Sequence, residues 1–435
     1  MKQQDGGNHP VVSAPAQSRF LRSLPWVSLH SDGETSPSIT YPRGFVAAGV
    51  AAGIKNSGKP DVGVVAVTPE CRDQAVSAAL FTTNAFAAAP VVLNRQECDL
   101  QHLVALAMNS GNANACTGEA GLASARRMRE ACARALAVSE ERVAVGSTGI
   151  IGVPLPIDIV SEGVSAAAAK AATEGGTAFA RSIMTTDRFP KTCAFDVSLP
   201  SGLVRLGVCA KGAGMIAPAM ATMLCVVTTD ALLEPGLARQ MLREAVDNTF
   251  NRITVDGEMS TNDSVFFLAS GASGVKLVGE DVSLFAQALE GALLRIALMM
   301  VADGEGATKV MRLVVTGAES PDQAERVARA VAQSPLVKAA MHGGNPNWGR
   351  IASAAGAAMA GYALPNACVV LGGVTVMETG TARLLSPEER AAVTAAVRQP
   401  EVDIAVDLGL GEASAEIYFA DLGHEYITIN AEYHT

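Results

Sequence analysis

Short runs rich in β-branched and other apolar residues recur along this chain and predict strands. Among them are APVVLN (89–94), TCAFDVSL (192–199), LVRLGVCA (203–210), SVFFLAS (264–270), VMRLVVTG (310–317), CVVLGGVTVM (368–377), VDIAVDLG (402–409), SAEIYFADL (414–422) and EYITINAEY (425–433). Apolar residues three and four apart predict helices over 121–137 and 236–250. The run 282–304 is apolar on most sides, as a buried helix is. Ser320-Pro321-Asp322-Gln323 and Ser386-Pro387-Glu388-Glu389 read as capping-box starts with Pro at the first helical position. Strands follow strands as often as they alternate with helices. That predicts an α+β layered sandwich rather than a doubly wound parallel sheet. Residues 1–40 are polar and broken by Pro, Gly and Ser, without the apolar core of a secretory signal. They predict a flexible extension, with docking through 20–26 as the alternative.

Composition narrows the function. The chain has 435 residues, 49% of them hydrophobic and only 4% aromatic, so its core should be close-packed and small-sided. The net charge of −10 argues against nucleic acid or an anionic membrane as a partner. No uninterrupted apolar run approaches the ~18 residues of a membrane helix. Eight scattered cysteines without a C-x-x-C pair suit reduced thiols in a cytoplasmic protein. Six histidines, none in H-x-x-x-H spacing, argue against a zinc site. Gly212-x-Gly214 and DGEGATK (303–309) lack the spacing of nucleotide and phosphate loops.

Several polar turns remain. GSTGIIG (146–152) follows a strand-like run and is either an ordinary turn or a nest of N–H groups for an oxyanion. MTTDRFPK (184–191) and DGEMSTND (256–263) are most simply capped loops, and NPNWGRI (345–351) a structural corner. The stretch KGAGMIAPAMATML (211–224) is too broken for a helix and too apolar for a surface loop. Thr222 within it is either a buried residue opening a strand or a nucleophile. An alcohol needs a base, and a threonine at a chain N-terminus can use its own α-amine. That route requires the Ala221–Thr222 bond to be cut by attack of the threonine hydroxyl on the preceding carbonyl.

The stretch 211–231 closely resembles the self-processing segment of the ornithine acetyltransferase family, the bifunctional glutamate N-acetyltransferases of arginine biosynthesis. PRGFVAAGVAAGIK (42–55), LFTTNAFAAAPV (80–91), NSGNANACTG (109–118), STGIIG (147–152), MTTD (184–187), FNRITVDGEMSTND (250–263), DGEGATK, NPNWGRI and INAEYHT (429–435) agree in the same order. The resemblance spans residue 42 to the end and leaves out the first forty residues. It implies an α/β/β/α sandwich, cut into fragments of 41–221 and 222–435 that stay together, with a dimer of such pairs. It implies Thr222 as the nucleophile freed by cleavage after Ala221, and Thr148 and Gly149 as the oxyanion hole. Thr185, with Thr186 as the other choice, Lys211, Glu305, Asn430 and Thr435 are implied as substrate contacts. The implied reaction is ping-pong transfer of acetyl from N-acetylornithine to glutamate without cofactor or metal, with acetyl-CoA as a candidate co-substrate. An N-terminal-nucleophile amidohydrolase or aminopeptidase using the same threonine is the alternative.

Overall fold

The computed structural model describes residues 18–33, 35–217 and 223–432. Among these the strands form three sheets. The central sheet has the order Val27–Asp32, Lys191–Leu199, Gly202–Lys211, Leu224–Thr229, Ser264–Ala269, Val76–Phe81. It is antiparallel except where Leu224–Thr229 runs parallel to Ser264–Ala269. A second sheet places Phe45–Val50, Val62–Val67, Ala105–Asn112 and Val143–Ile150 side by side.

Alternation along the strands decides the layers. Leu224 and Val226 of the central sheet share one buried cluster with Val65, Leu106, Met108 and Ala144 of the second, so the two sheets pack face to face. Cys225 and Val227 point the other way, into a cluster with Met241 and Leu242 of helix Pro235–Asn248 and Phe285, Leu289 and Leu293 of helix Glu280–Ala302. The outer face of the second sheet is covered by helices Gly118–Leu136 and Ile157–Ala169 through Met128, Cys132, Val160 and Val164. The result is the expected α/β/β/α sandwich.

The third sheet is an addition that the strand pattern alone did not separate. It orders Ile253–Thr254, Ala413–Ala420, Val310–Ala318, Glu401–Asp407, Cys368–Leu371, Val374–Glu378 and Thr381–Ala382, and closes its own apolar cluster under helix Pro321–Ala332. The run 368–377, expected as one strand, is a hairpin. Gly372 and Gly373 both adopt positive φ (57° and 82°), a two-residue turn that residues with a Cβ adopt only with strain.

Other expectations are corrected. APVVLN lies in helix Ala89–Glu97, where Pro90 sits in the first turn and its missing N–H costs nothing. EYITINAEY lies largely in helix His424–Glu432, which buries none of its residues. The extension does not run to residue 40. Val27–Asp32 pairs with Lys191–Leu199, Trp26 Nε1 donates to Leu284 O (3.2 Å), and Phe20 and Ile39 are buried. Residues 1–17 lie outside the described residues. Helix Glu280–Ala302 is, by length and composition, apolar enough to cross a membrane, and most of that stretch is buried in the core. Ser386 makes a complete capping box with Glu389. Ser320 accepts from Gln323 N, but the Gln323 side chain turns to Glu319 N instead.

Candidate active site

Strand ends from both packed sheets meet several loops and helix His424–Glu432 at one cleft. It is lined by Thr148 and Gly149 at the end of Val143–Ile150, Lys211 at the end of Gly202–Lys211, Thr185 and Thr186, Glu305, and Asn430 of helix His424–Glu432. Six residues singled out from sequence, Thr148, Gly149, Thr185, Lys211, Glu305 and Asn430, thus share one cleft, and the alternative Thr186 lines it too. Ala221, Thr222 and Thr435 lie outside the described residues.

Gly149 is needed for the shape. Its φ is +133°, and a Cβ there would stand 2.4 Å from the backbone carbon of Gly111 on the paired strand. Beside it, Asn262 donates through Nδ2 to Ser147 O (2.9 Å) and Ala113 O (2.6 Å). In a trans peptide the carbonyl and the following N–H point opposite ways. Holding Ser147 O therefore also fixes where Thr148 N–H points.

Lys211 is almost fully buried, and its Nζ lies 3.3 Å from Thr148 Oγ1. Burial pulls its ammonium below the usual range, and Asp187 works against that pull. Asp187 accepts from Thr185 N (2.9 Å), Gly212 N (2.7 Å) and Lys191 Nζ. Lys191, itself wholly buried, also binds Asp303, which in turn holds Arg188 N (3.0 Å) and Arg188 Nε (2.7 Å). Burial opposes the charge on Asp187, but the ammonium groups of Lys191 and Lys211 prevail and hold its carboxyl well below the ordinary range. Lys55 stands behind the same turn, donating to Met184 O (2.7 Å) and Pro60 O (3.0 Å). Burial lowers it to about 8.

The broken apolar stretch after Lys211 is held almost residue by residue. Glu305 N donates to Ala213 O (2.9 Å). Asp256 accepts from Met215 N (2.6 Å) and Ile216 N (2.8 Å). Val255 N and Thr254 Oγ1 both donate to Ile216 O. On the far side of 218–222, Met223 N donates to Asp263 Oδ1 (2.8 Å) and Met223 O accepts from Ser264 N (3.0 Å). At the rim, Asn430 Nδ2 donates to Glu305 Oε2 (2.8 Å) and to Tyr426 O (3.0 Å), one helical turn back. Burial, then the nearby Asp256 and Glu305 carboxylates, push the Tyr426 hydroxyl above its usual range.

Sequence reasoning missed Asp187, Lys191, Asp256, Asn262 and Asp263. The signal was present in MTTDRFPK and DGEMSTND, but an acid in a polar turn looks the same whether it caps its own loop or a distant strand. As a chemical arrangement the cleft offers backbone and hydroxyl donors, the buried cation of Lys211 and the carboxylates of Asp256, Glu258 and Glu305. These suit a small substrate carrying both charges and a carbonyl to be attacked.

Comparison with known proteins gives consistent names. A family model described as ArgJ family matches residues 46–435. The arginine biosynthesis bifunctional protein ArgJ of Symbiobacterium thermophilum is 44% identical over 402 residues, covering 91% of this chain and 98% of that protein. The ArgJ protein of Bifidobacterium longum is 43% identical, with 91% and 99% covered. Among solved structures, ornithine acetyltransferase complexed with ornithine, from Mycobacterium tuberculosis, is 38% identical. It covers 46% of this chain and 100% of that one, with a TM-score of 0.40.

Proposed function

The chain belongs to the ArgJ family, and from that premise we propose that it transfers an acetyl group from N-acetylornithine to glutamate in arginine biosynthesis, using Thr222 as its nucleophile. The observation that carries this reading is the meeting of Thr148, Gly149, Lys211, Glu305 and Asn430 in one cleft, with Lys211 ending the strand that precedes residues 218–222 in the chain. The Ala221–Thr222 bond breaks first, by shift of the Ala221 acyl group to Thr222 Oγ and hydrolysis of the ester. Thr222 then carries a free α-amine, whose ordinary pKa of about 7.7–8.0 suits a base near neutral pH.

Thr222 Oγ attacks the acetyl carbonyl while the amine takes its proton. Thr148 and Gly149 stabilise the developing oxyanion, each donor contributing about 2.7–4 kcal/mol in comparable sites. Ornithine departs with the proton and leaves an acetyl ester on Thr222. The amine of glutamate then attacks that ester and leaves as N-acetylglutamate. Lys211 suits a substrate carboxylate and Glu305 an ammonium group, with Asn430 setting the Glu305 carboxylate in place. Thr185 or Thr186, and Thr435, complete the contacts. No cofactor enters this scheme, because the acyl group travels on the protein; acetyl-CoA enters as a second donor.

Cleavage does not separate the fragments. Gly202–Lys211 lies before the cut and Leu224–Thr229 after it, and the two are hydrogen-bonded neighbours in the central sheet. Two such pairs assemble as a dimer, with a native mass twice the chain's 44.7 kDa. The eight free cysteines belong to a reducing cytoplasm.

The direct test is product analysis with each donor separately. Labelled acetyl from N-acetylornithine is expected on glutamate. Label released as acetate would make the protein an amidohydrolase and overturn the transfer. Deleting 430–435 is expected to lower transfer about 100-fold by misplacing Glu305, with cleavage unaffected. Wild-type turnover in the truncated chain would remove Asn430 and Thr435 from the site.

A further inference from the structure

Asp421 follows strand Ala413–Ala420 of the third sheet and is almost wholly buried. Its carboxylate is fully used. Oδ1 accepts from Thr308 N (2.8 Å) and Lys309 N (2.9 Å). Oδ2 accepts from Thr308 Oγ1 (2.6 Å) and from His342 Nδ1 (2.8 Å). Burial opposes the charge on Asp421, but these donors, His342 foremost, prevail and hold its carboxyl below the usual range. An ionised carboxylate only accepts, so the proton of this pair sits on His342 Nδ1.

Two walls of the cleft are tied together here. Thr308 and Lys309 end the turn 303–309 that carries Glu305. Asp421 itself stands just before helix His424–Glu432, which carries Tyr426 and Asn430 into the cleft. That helix buries none of its residues, so little apolar packing fixes it. Close backbone fits and polar contacts do so instead. Gly306 has a φ of +70°, and a Cβ there would stand 2.5 Å from Tyr426 N. Gly423 lies flush against the His342 ring, where a Cβ would stand 2.3 Å from Cε1. Farther along, Asn430 Nδ2 reaches Glu305 Oε2 (2.8 Å). That last contact survives only while turn and helix keep one spacing. Asp421 sets the spacing, bonded to the turn by its side chain and to the helix by the main chain.

We infer that Asp421 is a positioning residue for recognition of the donor's side-chain ammonium, holding the Glu305 turn against the helix that carries Asn430. The inference rests on the acetyl transfer proposed above. N-acetylornithine has one ammonium group, on its side chain, because its α-nitrogen is acylated. Glu305 is the carboxylate matched to that group. Asp421 is not among the residues lining the cleft and acts through Glu305 and Asn430.

The test compares two acetyl donors, N-acetylornithine and N-acetylnorvaline, which has the same carbon chain without the ammonium. Wild type is expected to prefer the first. Asp421→Ala is expected to lower kcat/KM for N-acetylornithine about tenfold or more, the scale of a hydrogen bond to a charged group, and to leave N-acetylnorvaline within about twofold. Asp421→Asn keeps the acceptor for Thr308 N and Lys309 N and is expected to restore most of the preference; an asparagine as poor as alanine overturns the inference. Thr308→Val removes one bond from the turn's side and is expected to lose part of the preference. It decides the matter if Asp421→Ala fails to fold. Wild-type preference in the folded variant overturns the inference. Equal losses with both donors make Asp421 a purely structural residue and overturn it too. A wild-type protein that uses both donors equally overturns the assignment of Glu305, and this inference with it. A wild-type protein that transfers acetyl from neither overturns the proposed function itself.

Discussion

Thr222→Ala is expected to run on a denaturing gel as one band of 44.7 kDa, where the wild-type chain gives fragments of 1–221 and 222–435. It is also expected to lose acetyl transfer by about a million-fold, the scale seen when a covalent nucleophile is removed. The two losses have one origin. The hydroxyl that cuts the chain is the hydroxyl that later carries acetyl, and only the cut gives it an amine as base. Thr222→Ser separates the steps, since serine keeps both hydroxyl and amine: it is expected to cleave and to retain part of the turnover. A whole Thr222→Ala chain that still acetylates glutamate would move the nucleophile elsewhere.

Lys191→Met is expected to destabilise the protein by about 3–5 kcal/mol. The Lys191 ammonium is wholly buried between Asp187 and Asp303. Its removal leaves Asp303 with Arg188, and leaves Asp187 with two backbone donors and the more distant Lys211. Because Asp187 also holds Thr185 N and Gly212 N, the loss should spread to the wall of the cleft. The pH dependence has a definite sign. The folded-state pKa of Asp187 is depressed, so its contribution is complete above the ordinary carboxylate pKa of about 3.9 and is lost as pH falls through the lower folded value. The gap between wild type and variant, measured by denaturant unfolding, should therefore be widest near neutral pH and narrow toward strongly acid pH. A gap that widens on acidification would contradict this account of the triad.

The parts of the site legible in the sequence are those whose residue types announce a task. Thr148–Gly149, Lys211 and Glu305 stand in short polar or glycine-bearing motifs, and the order of those motifs carried the family resemblance. Asn262 and Asp263 were not legible as site residues because their partners lie far along the chain: Asp263 holds Met223, 40 residues away. A loop acid gives no local sign of such a contact. Two of the misread elements failed for a related reason. YITIN has the β-branched look of a strand, yet only a helix puts Asn430 one turn from Tyr426 and against Glu305. Val27–Asp32 sits in a polar, Pro-rich segment and becomes a strand only because Lys191–Leu199 offers it an edge. The α/β/β/α core was the easier part, since its strands alternate and its helices carry clear apolar faces. The third sheet draws on strands from 253 to 420 in mixed directions, and nothing in their local pattern says which sheet they join.

The claim beneath all of this is that a hydroxyl inside the chain acquires its own neighbouring amine and then carries acetyl. Mass spectrometry of the protein after exposure to N-acetylornithine, with no glutamate present, tests it most directly. One added acetyl group on Thr222, at the start of the 222–435 fragment, removed when glutamate is supplied, is the expected result. Acetyl on any other residue, or efficient transfer by a chain still joined at Ala221–Thr222, would contradict it.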